Sequence, residues 1–222
     1  MNRSIILASA SPRRKQLLES AGVVATVEVA DIDESHGDGE KAADYVVRMA
    51  HQKAEAVVRR HLGDDSTDKS TDKSVGSDVV VVAADTIVVV DGVILGKPAS
   101  RDEAFSMLKR LVSRRHDVMT AVAIADLAGR APKWQRFVVT THVEFGDVDD
   151  ARLWAYVDSG EPMDKAGAYG IQSGAASFVR CIEGSYTNVV GLPLYETVSA
   201  IEALMCTNSS NDASTDGAGV PL

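Results

Sequence analysis

Two adjacent arginines lie near the start of a predicted helix that follows an apolar stretch. Residues 5–8 are apolar, and residues 9–14 read Ser-Ala-Ser-Pro-Arg-Arg. The serine before the proline is a favourable N-cap, and the proline suits the first helical position. A helix that begins here directs free backbone N–H groups and its dipole at one point, beside Arg13 or Arg14. The pattern predicts a phosphate-sized anion site, with a capped helix and two solvated arginines as the alternative.

A single carboxylate interrupts the most valine-rich part of the chain. Residues 79–90 form a run of mostly β-branched apolar residues that is interrupted only at residues 83–86, and Asp85 is one of these four. Burial of a carboxylate among valines is costly unless a metal ion or a cation holds it. We therefore interpret Asp85 as a metal ligand or a general base, while an edge-strand aspartate or a turn capped by Thr86 is the alternative.

Further acidic residues follow the second extended segment of the chain. Asp31, Asp33 and Glu34 are typical of an acidic loop, but one of them would supply a second carboxylate beside Asp85. Two carboxylates near a basic cluster favour Mg²⁺ or Mn²⁺, which bridges phosphate oxygens and lowers the pKa of a bound water. This reasoning predicts hydrolytic phosphate chemistry.

Three lysines are candidate phosphate ligands, although each is also typical of a solvated surface: Lys53, Lys97 and Lys165. The segment around Lys97 is not a P-loop, because its glycines are one residue too close and Pro98 replaces the required Ser or Thr. Residues 164–172 are rich in small side chains that permit close backbone approach to a ligand. Gln172 at the end of that segment can act as donor and acceptor at a base edge.

The composition restricts the classes of partner. The chain has 222 residues, of which 45% are hydrophobic, so one large domain or two small lobes can bury a core. A formal charge of -9 argues against a nucleic-acid polymer and leaves a small anion as the ligand. Cys181 and Cys206 have no metal or redox spacing, and no apolar run has the length of a signal or a membrane span. We expect a cytoplasmic protein without membrane association.

Strand and helix patterns alternate, which is typical of an α/β fold. The expected strands lie near 4–9, 23–29, 79–90, 93–95, 118–125, 137–145 and 177–182, and the expected helices near 12–21, 40–62, 100–112, 150–157 and from 193 onward. Residues 64–77 repeat Ser-Thr-Asp-Lys and predict a disordered insertion in one domain spanning 1–206. The polar segment 207–222 predicts a disordered tail.

Five segments, taken in order, resemble the Maf family of nucleotide pyrophosphatases. They are residues 7–14, 84–86, 96–98, 164–172 and 184–193, and the match extends over nearly residues 3–205. The resemblance implies an elongated mixed-sheet α/β fold of two lobes with a cleft between them, related to inosine triphosphate pyrophosphatases and often homodimeric. It also implies cleavage of a nucleoside triphosphate to the monophosphate and pyrophosphate with a divalent metal.

The resemblance also implies roles for single residues. Asp85 matches the proton acceptor, and the phosphate and metal site is matched by Ser9, Arg13, Glu34, Lys53, Lys97 and Lys165. Arg13, Thr86 and Gln172 resemble the branch that acts on dTTP and UTP, whereas the 7-methyl-GTP branch typically has an aromatic residue in place of Arg13. The chain departs from the family in its insertion, its tail, and Ser173, where a glycine commonly follows the glutamine.

These observations lead to one mechanistic hypothesis. Glu34 and Asp85 hold the metal, Asp85 deprotonates a water that attacks the α-phosphorus, and pyrophosphate leaves on basic side chains, namely Arg13, Lys53 and Lys97. Two other functions remain open from the sequence: a house-cleaning hydrolase of modified nucleotides, and a nucleotide-binding regulator of cell division.

Overall fold

One mixed sheet of seven strands organises the computed structural model, which describes residues 3–63 and 78–207. The strands are β1 (Ser4–Leu7), β2 (Ala25–Val27), β3 (Val79–Val90), β4 (Val93–Leu95), β5 (Arg115–Asp126), β6 (Lys133–Phe145) and β7 (Val179–Glu183). The helices are α1 (Pro12–Ser20), α2 (Ala42–Leu62), α3 (Arg101–Leu111), α4 (Asp150–Asp158), α5 (Tyr186–Val190) and α6 (Leu194–Thr207). Three short 3₁₀ helices lie at Glu161–Asp164, Ala166–Ala168 and Gly174–Phe178.

Among the described residues, one edge of β3 is left unpaired over a short stretch, which forms a gap in the sheet. The strand order is β2-β1-β3-β5-β6-β7, and β4 also pairs with β3. Because β5 occupies one edge of β3 from Val80 to Val89, β1 and β4 must share the other edge. There β1 pairs with Val79–Val82 and β4 with Val88–Val90. Residues 83–87 of β3 therefore face an opening between the two strands within the described part of the chain.

Alternation along β3 sends successive side chains to opposite faces of the sheet. On one face, Val81 and Ala83 pack with the apolar side of α2. On the other face, Val80, Val82 and Ala84 pack with residues of α1 and α6. Farther along that second face, Val88 and Val90 join a third cluster formed with α3 and α4. The core therefore consists of three clusters, one on the face of the sheet that α2 covers and two that share the opposite face along β3.

The alternation also decides what the two polar residues of β3 face. Asp85 shares the face of Val81 and Ala83, which α2 covers. Thr86 shares the face of Ala84, which α1 covers. The two side chains leave the strand in opposite directions at the same point of the gap.

Most of the expected elements are present, so the α/β class is confirmed. β3 runs unbroken through Asp85 and Thr86, so the alternative of a turn capped by Thr86 is wrong. Ser11 occupies the N-cap position of α1 but makes no side-chain cap hydrogen bond there. The expected insertion 64–77 and the tail from 208 onward lie outside the described residues, and the relationship to inosine triphosphate pyrophosphatases stays a prediction. Within residues 3–63 and 78–207, no helix has the length and apolarity that crossing a bilayer requires.

Candidate active site

A cleft of about 550 Å³ opens at the gap in the sheet. Its lining includes the N-terminal turn of α1 on one side and residues 94–97 on the other. Five basic side chains and three carboxylates face it: Arg13, Arg14, Lys53, Lys97, Lys165, Glu34, Asp85 and Asp164. The excess of positive charge lies in a protein whose formal net charge is -9. A local basic cleft on an acidic protein favours a small polyanion over a nucleic-acid polymer.

Arg14 is a structural cation within this cleft. Its Nε donates to the carbonyl oxygen of Gly191 at 2.7 Å, and its two terminal nitrogens donate to Ser9 Oγ and Thr86 Oγ1, each at 3.0 Å. Burial lowers the pKa of Arg14, an effect that the nearby Asp85 charge opposes. The guanidinium thus ties the start of α1 to β3 and to the segment before α6.

Ser9 is buried, and its hydroxyl oxygen accepts two hydrogen bonds. One comes from Arg14, and the other comes from the backbone N–H of Ser11 at 3.2 Å. Both contacts use lone pairs of Oγ, so its hydrogen remains to be donated. A phosphate oxygen in the cleft is a suitable acceptor.

The hydroxyl of Thr86 takes part in a buried polar network. Thr120, which is fully buried, donates to the carbonyl oxygen of Asn188 at 2.9 Å. Because the hydrogen of Thr120 is used there, the 2.9 Å contact between Thr86 Oγ1 and Thr120 Oγ1 has Thr86 as its donor. Thr86 therefore accepts from Arg14 and donates to Thr120, which holds the arginine in place.

Lys53 bridges two carboxylates at the centre of the cleft. Its Nζ lies 2.6 Å from Asp85 Oδ1 and 2.7 Å from Glu34 Oε1. Lys53 projects from α2, Asp85 lies on the face of β3 that α2 covers, and Glu34 lies in the segment before α2. The Lys53 and Asp85 side chains are each only 14% exposed, so this pair is largely shielded from solvent. The arrangement brings together both carboxylates that the sequence suggested.

The Glu34 carboxylate is held in its ionised form. The hydrogen bond from Lys53 lowers the pKa of Glu34, although partial burial acts in the opposite direction. The charges of Lys97 and Arg14 add to the lowering. Tyr45 donates its hydroxyl to the carbonyl oxygen of Glu34 at 2.9 Å and so fixes the backbone there.

The two carboxylates fit a divalent cation of the magnesium type. Each contacts the same Lys53 ammonium through one oxygen, so the two carboxylates lie close together and each keeps a second oxygen for another cation. Within residues 3–63 and 78–207, no three His, Cys, Asp or Glu side chains form a cluster that would hold a metal. Mg²⁺ is commonly bound by one or two carboxylates together with substrate phosphates and waters. Glu34 and Asp85 match that donor set.

Asp164 connects two other basic residues across the cleft. Its carboxylate lies 2.6 Å from Lys165 Nζ and 3.6 Å from an Arg13 terminal nitrogen. The Arg13 side chain is 30% exposed, unlike the anchored Arg14. Lys165 also donates to the carbonyl oxygen of Glu161 at 2.8 Å. Arg13 and the exposed Lys97 are thus the cations that an entering anion reaches first, while Lys165 is held by Asp164 and Glu161 and is only 12% exposed.

Eight of the nine residues that the sequence suggested line the cleft: Ser9, Arg13, Glu34, Lys53, Asp85, Thr86, Lys97 and Lys165. Gln172 does not line it; its side chain is exposed and makes no hydrogen bond to another described residue. Arg14 was a candidate only for contact with the anion, and its role as an anchor was not predicted. Tyr45 and Asp164 had no individual role in the sequence reasoning. Asp164 carried a signal, because it precedes Lys165 directly, whereas nothing local marks Tyr45.

Comparison with known proteins identifies similar chains independently of the geometry of the site. A family model described as "Maf-like protein" matches residues 4–204. Relatives from Hahella chejuensis and Myxococcus xanthus, both named "dTTP/UTP pyrophosphatase", are 46% identical over 198 residues, covering 88% and 89% of this chain and 90% and 91% of theirs. A Geobacter metallireducens protein of the same name is 46% identical over 203 residues, covering 91% of this chain and 97% of its own.

Proposed function

The chain belongs to the Maf family, and from that premise we propose that it is a nucleoside triphosphate pyrophosphatase that hydrolyses dTTP and UTP to the monophosphate and pyrophosphate. The observation that carries this proposal is the pair of carboxylates bridged by Lys53 in a cleft of otherwise basic character. A volume of about 550 Å³ is within the range of small-molecule sites. The names of the relatives supply the substrate class.

Arg13, Lys97 and Lys165 bind the triphosphate in this proposal. Each lines the cleft from a different element or loop, so the three charges surround a chain of phosphates. Arg13 and Lys165 exchange their contacts with Asp164 for phosphate oxygens. Ser9 donates its free hydroxyl hydrogen to the same anion, next to the N-terminus of α1.

Asp85 accepts the proton of the attacking water. Its Oδ1 is engaged by Lys53 at 2.6 Å, which fixes the carboxylate and leaves Oδ2 to face the water. The water oxygen bonds to the α-phosphorus, the bond from that phosphorus to the α,β-bridging oxygen breaks, and pyrophosphate leaves. An ammonium has three donors, and Lys53 uses two on Glu34 and Asp85, so the third reaches the phosphates.

Glu34 and Asp85 would hold a divalent metal ion such as Mg²⁺ or Mn²⁺. When bound there, such an ion neutralises phosphate charge and lowers the pKa of a coordinated water. The chain's own contribution is the placement of the two carboxylates: Lys53 contacts both, and Tyr45 fixes the backbone at Glu34.

Gln172 is the residue that selects the base in this proposal. Its side-chain amide can pair with the carbonyl and N–H edge of uracil or thymine, and it is not engaged by the described part of the protein. Arg13 on α1 and Thr86 on β3 contribute to the selection of the base. Thr86 does so indirectly, because its hydroxyl fixes the position of Arg14. We place the activity in the cytoplasm, where a nucleotide pool supplies substrate.

Release of pyrophosphate from a panel of triphosphates tests the proposal. The panel contains dTTP, UTP, CTP, ATP, GTP, 7-methyl-GTP and modified pyrimidine triphosphates, each with and without Mg²⁺ or Mn²⁺. We expect dTTP and UTP to give the highest kcat/KM and to yield monophosphate and pyrophosphate in equal amounts. A modified nucleotide that is clearly preferred would favour the house-cleaning role, and tight binding without turnover would favour a regulator.

A further inference from the structure

One carboxylate, that of Glu161, collects the hydrogen bonds that hold residues 170–174. The segment before them is held elsewhere, by the hydrogen bond from the Gly167 N–H to the carbonyl oxygen of Gly96 and by that between the Tyr169 hydroxyl and His116. Oε1 of Glu161 accepts a hydrogen bond from Tyr156 Oη at 2.9 Å and another from Ser173 Oγ. Oε2 accepts from the backbone N–H of Gly174 at 3.2 Å. Three donors therefore converge on a side chain that does not line the cleft.

Tyr156 extends this attachment to the other side of Gln172. The backbone N–H of Gly170 donates to Tyr156 Oη at 3.1 Å, while the same hydroxyl donates to Glu161. Tyr156 is 6% exposed, and burial raises the pKa of its hydroxyl, which therefore stays protonated and remains a donor. Gln172 thus lies between two anchors, Gly170 and Ser173, that both lead to Glu161.

The packing of the segment leaves little freedom around these anchors. A Cβ on Gly170 would lie 2.7 Å from Cε of Lys165, and a Cβ on Gly174 would lie 2.9 Å from the ring of Tyr156. The segment therefore lies flat against the Lys165 stem and the Tyr156 ring, and its course depends on the two glycines.

Ser173 takes part in this attachment. The sequence showed it as a departure from the glycine that commonly follows the glutamine, and the structure shows its hydroxyl donating to Glu161. Burial raises the pKa of Glu161, but the hydrogen bonds from Ser173, Tyr156 and Gly174 outweigh it and hold the pKa below its ordinary value. The lowered pKa favours the ionised carboxylate, whose two oxygens accept all three hydrogen bonds.

We propose that Glu161 is a positioning residue that fixes the place of Gln172 relative to the cleft and thereby sets the preference for pyrimidine bases. The inference rests on the base-reading role given to Gln172 under Proposed function. Glu161 acts only through Tyr156, Ser173 and Gly174 and does not contact the nucleotide.

Glu161→Gln is the sharpest perturbation, because it keeps the shape and removes acceptor capacity. The new amide nitrogen is a donor, so it faces either the N–H of Gly174 or the hydroxyls of Tyr156 and Ser173, and at least one of the three hydrogen bonds is lost. Tyr156→Phe is the second variant, since it breaks the link to Gly170 while keeping the buried ring. Ser173→Gly removes one donor and should act more weakly.

Glu183→Gln is the matched control. Glu183 is an exposed glutamate whose ion pair with Arg115, at 2.7 Å, lies outside the cleft lining. All variants are made in the full chain and compared by thermal melting, by hydrogen exchange of peptides covering 165–175, and by kcat and KM for dTTP and GTP.

We expect Glu161→Gln and Tyr156→Phe to speed exchange in 165–175 by roughly tenfold, as one lost hydrogen bond would. The kcat/KM ratio of dTTP over GTP should fall by about tenfold through a higher KM for dTTP, because a small displacement of a reading group weakens recognition. The kcat for dTTP should stay within a few-fold of wild type, since Asp85 and Lys53 lie on other elements. The Glu183→Gln control should match wild type.

Unchanged exchange in both variants would overturn the proposal, because the segment would then be held by other contacts. Faster exchange with an unchanged dTTP/GTP ratio would also overturn it, provided that Gln172→Ala lowers the ratio. If Gln172→Ala leaves the ratio unchanged, the base assignment under Proposed function fails and the selective role of Glu161 fails with it. The exchange data then still show whether Glu161 orders the segment.

Discussion

Replacement of Asp85 by asparagine separates the chemistry of the cleft from its architecture. The amide has nearly the same shape as the carboxylate, and its oxygen can still accept from Lys53, which lies 2.6 Å from Asp85 Oδ1. Lys53 keeps its second partner, Glu34, at 2.7 Å, so the variant does not leave the ammonium without a counter-charge. We therefore expect a stability loss of about 1 kcal/mol or less, which corresponds to a fall in Tm of about 2–4 °C in a chain of this size.

The effect on turnover should be far larger than the effect on stability. Removal of a general base typically lowers the rate by about 10²- to 10⁴-fold, and the variant also loses one of two carboxylates suited to a divalent metal. Binding of the triphosphate should persist, because Arg13, Lys97 and Lys165 remain and the cleft loses a negative charge. The expected signature is a kcat lowered by about 10³-fold with a KM for dTTP within a few-fold of wild type.

Pyrophosphate release and thermal melting of the purified proteins measure both quantities. Asp158→Asn is the matched control, because Asp158 is an exposed aspartate paired with Arg101 and does not line the cleft. A kcat within tenfold of wild type for Asp85→Asn would refute the assignment of Asp85 as the base. A fall in Tm of more than about 8 °C would instead show that the pair with Lys53 carries the fold.

Four further perturbations follow from the structure. Gln172→Glu should lower kcat/KM for dTTP and UTP by about tenfold or more while leaving binding of inorganic triphosphate unchanged in a competition assay, since only the base edge is affected. Replacement of 64–77 by a short Gly-Ser link should preserve activity and Tm, because polar residues of that composition cannot build a core; a large loss of activity at equal Tm would place the segment in the site. Gly167→Ala should cost about 2–4 kcal/mol in urea unfolding, because φ is +66° and the new Cβ would lie 2.9 Å from three Val88 carbons. Glu34 has a folded pKa below its ordinary 4.5, so its stabilising contribution is complete above that pH and is lost as the pH falls through the folded value; Glu34→Gln should remove this part of the acid dependence of Tm.

The helices could be predicted from the sequence because their start signals and periodicity are local. The helix expected near 100–112 begins at such a signal: Ser100 accepts from the backbone N–H of Glu103 at 3.1 Å, and the Glu103 side chain accepts from the backbone N–H of Ala99. The 3₁₀ helices between 161 and 178 and the short α5 were not predicted, since they are too short for any periodicity. They depend on contacts such as those of Glu161, which only the folded chain brings together.

The polar interruption of β3 shows where local patterns stop being informative. Residues 83–86 are small or polar, and nothing in that stretch tells a strand from a turn. The strand continues because β5 pairs with β3 from Val80 to Val89 and supplies partners throughout the interruption. Tertiary pairing therefore outweighs propensity at the very residues that carry the proposed chemistry.

The sequence indicates which basic residues belong to the site but not which role each of them has. Arg13 and Arg14 are adjacent in the chain and identical in type, and the prediction left open which of them faces the anion. The roles differ because of a contact that is distant in sequence: Nε of Arg14 donates to the carbonyl oxygen of Gly191, which lies 177 residues further along the chain. Because Arg14 is held there and by Thr86, Arg13 is left as the cation that a phosphate can reach.

The gap at the edge of β3 explains why residues so distant in sequence meet at one point. A side chain in a fully paired strand reaches only one face of a sheet, and the sheet separates it from groups on the other face. Between the end of β1 and the start of β4 that barrier is open, so Asp85 on one face and Thr86 on the other border the same cleft. The carboxylates and Lys53 therefore approach from the side of α2, while the arginines approach from α1. A phosphate chain lying in the gap would be contacted from both faces at once, which neither face alone could provide.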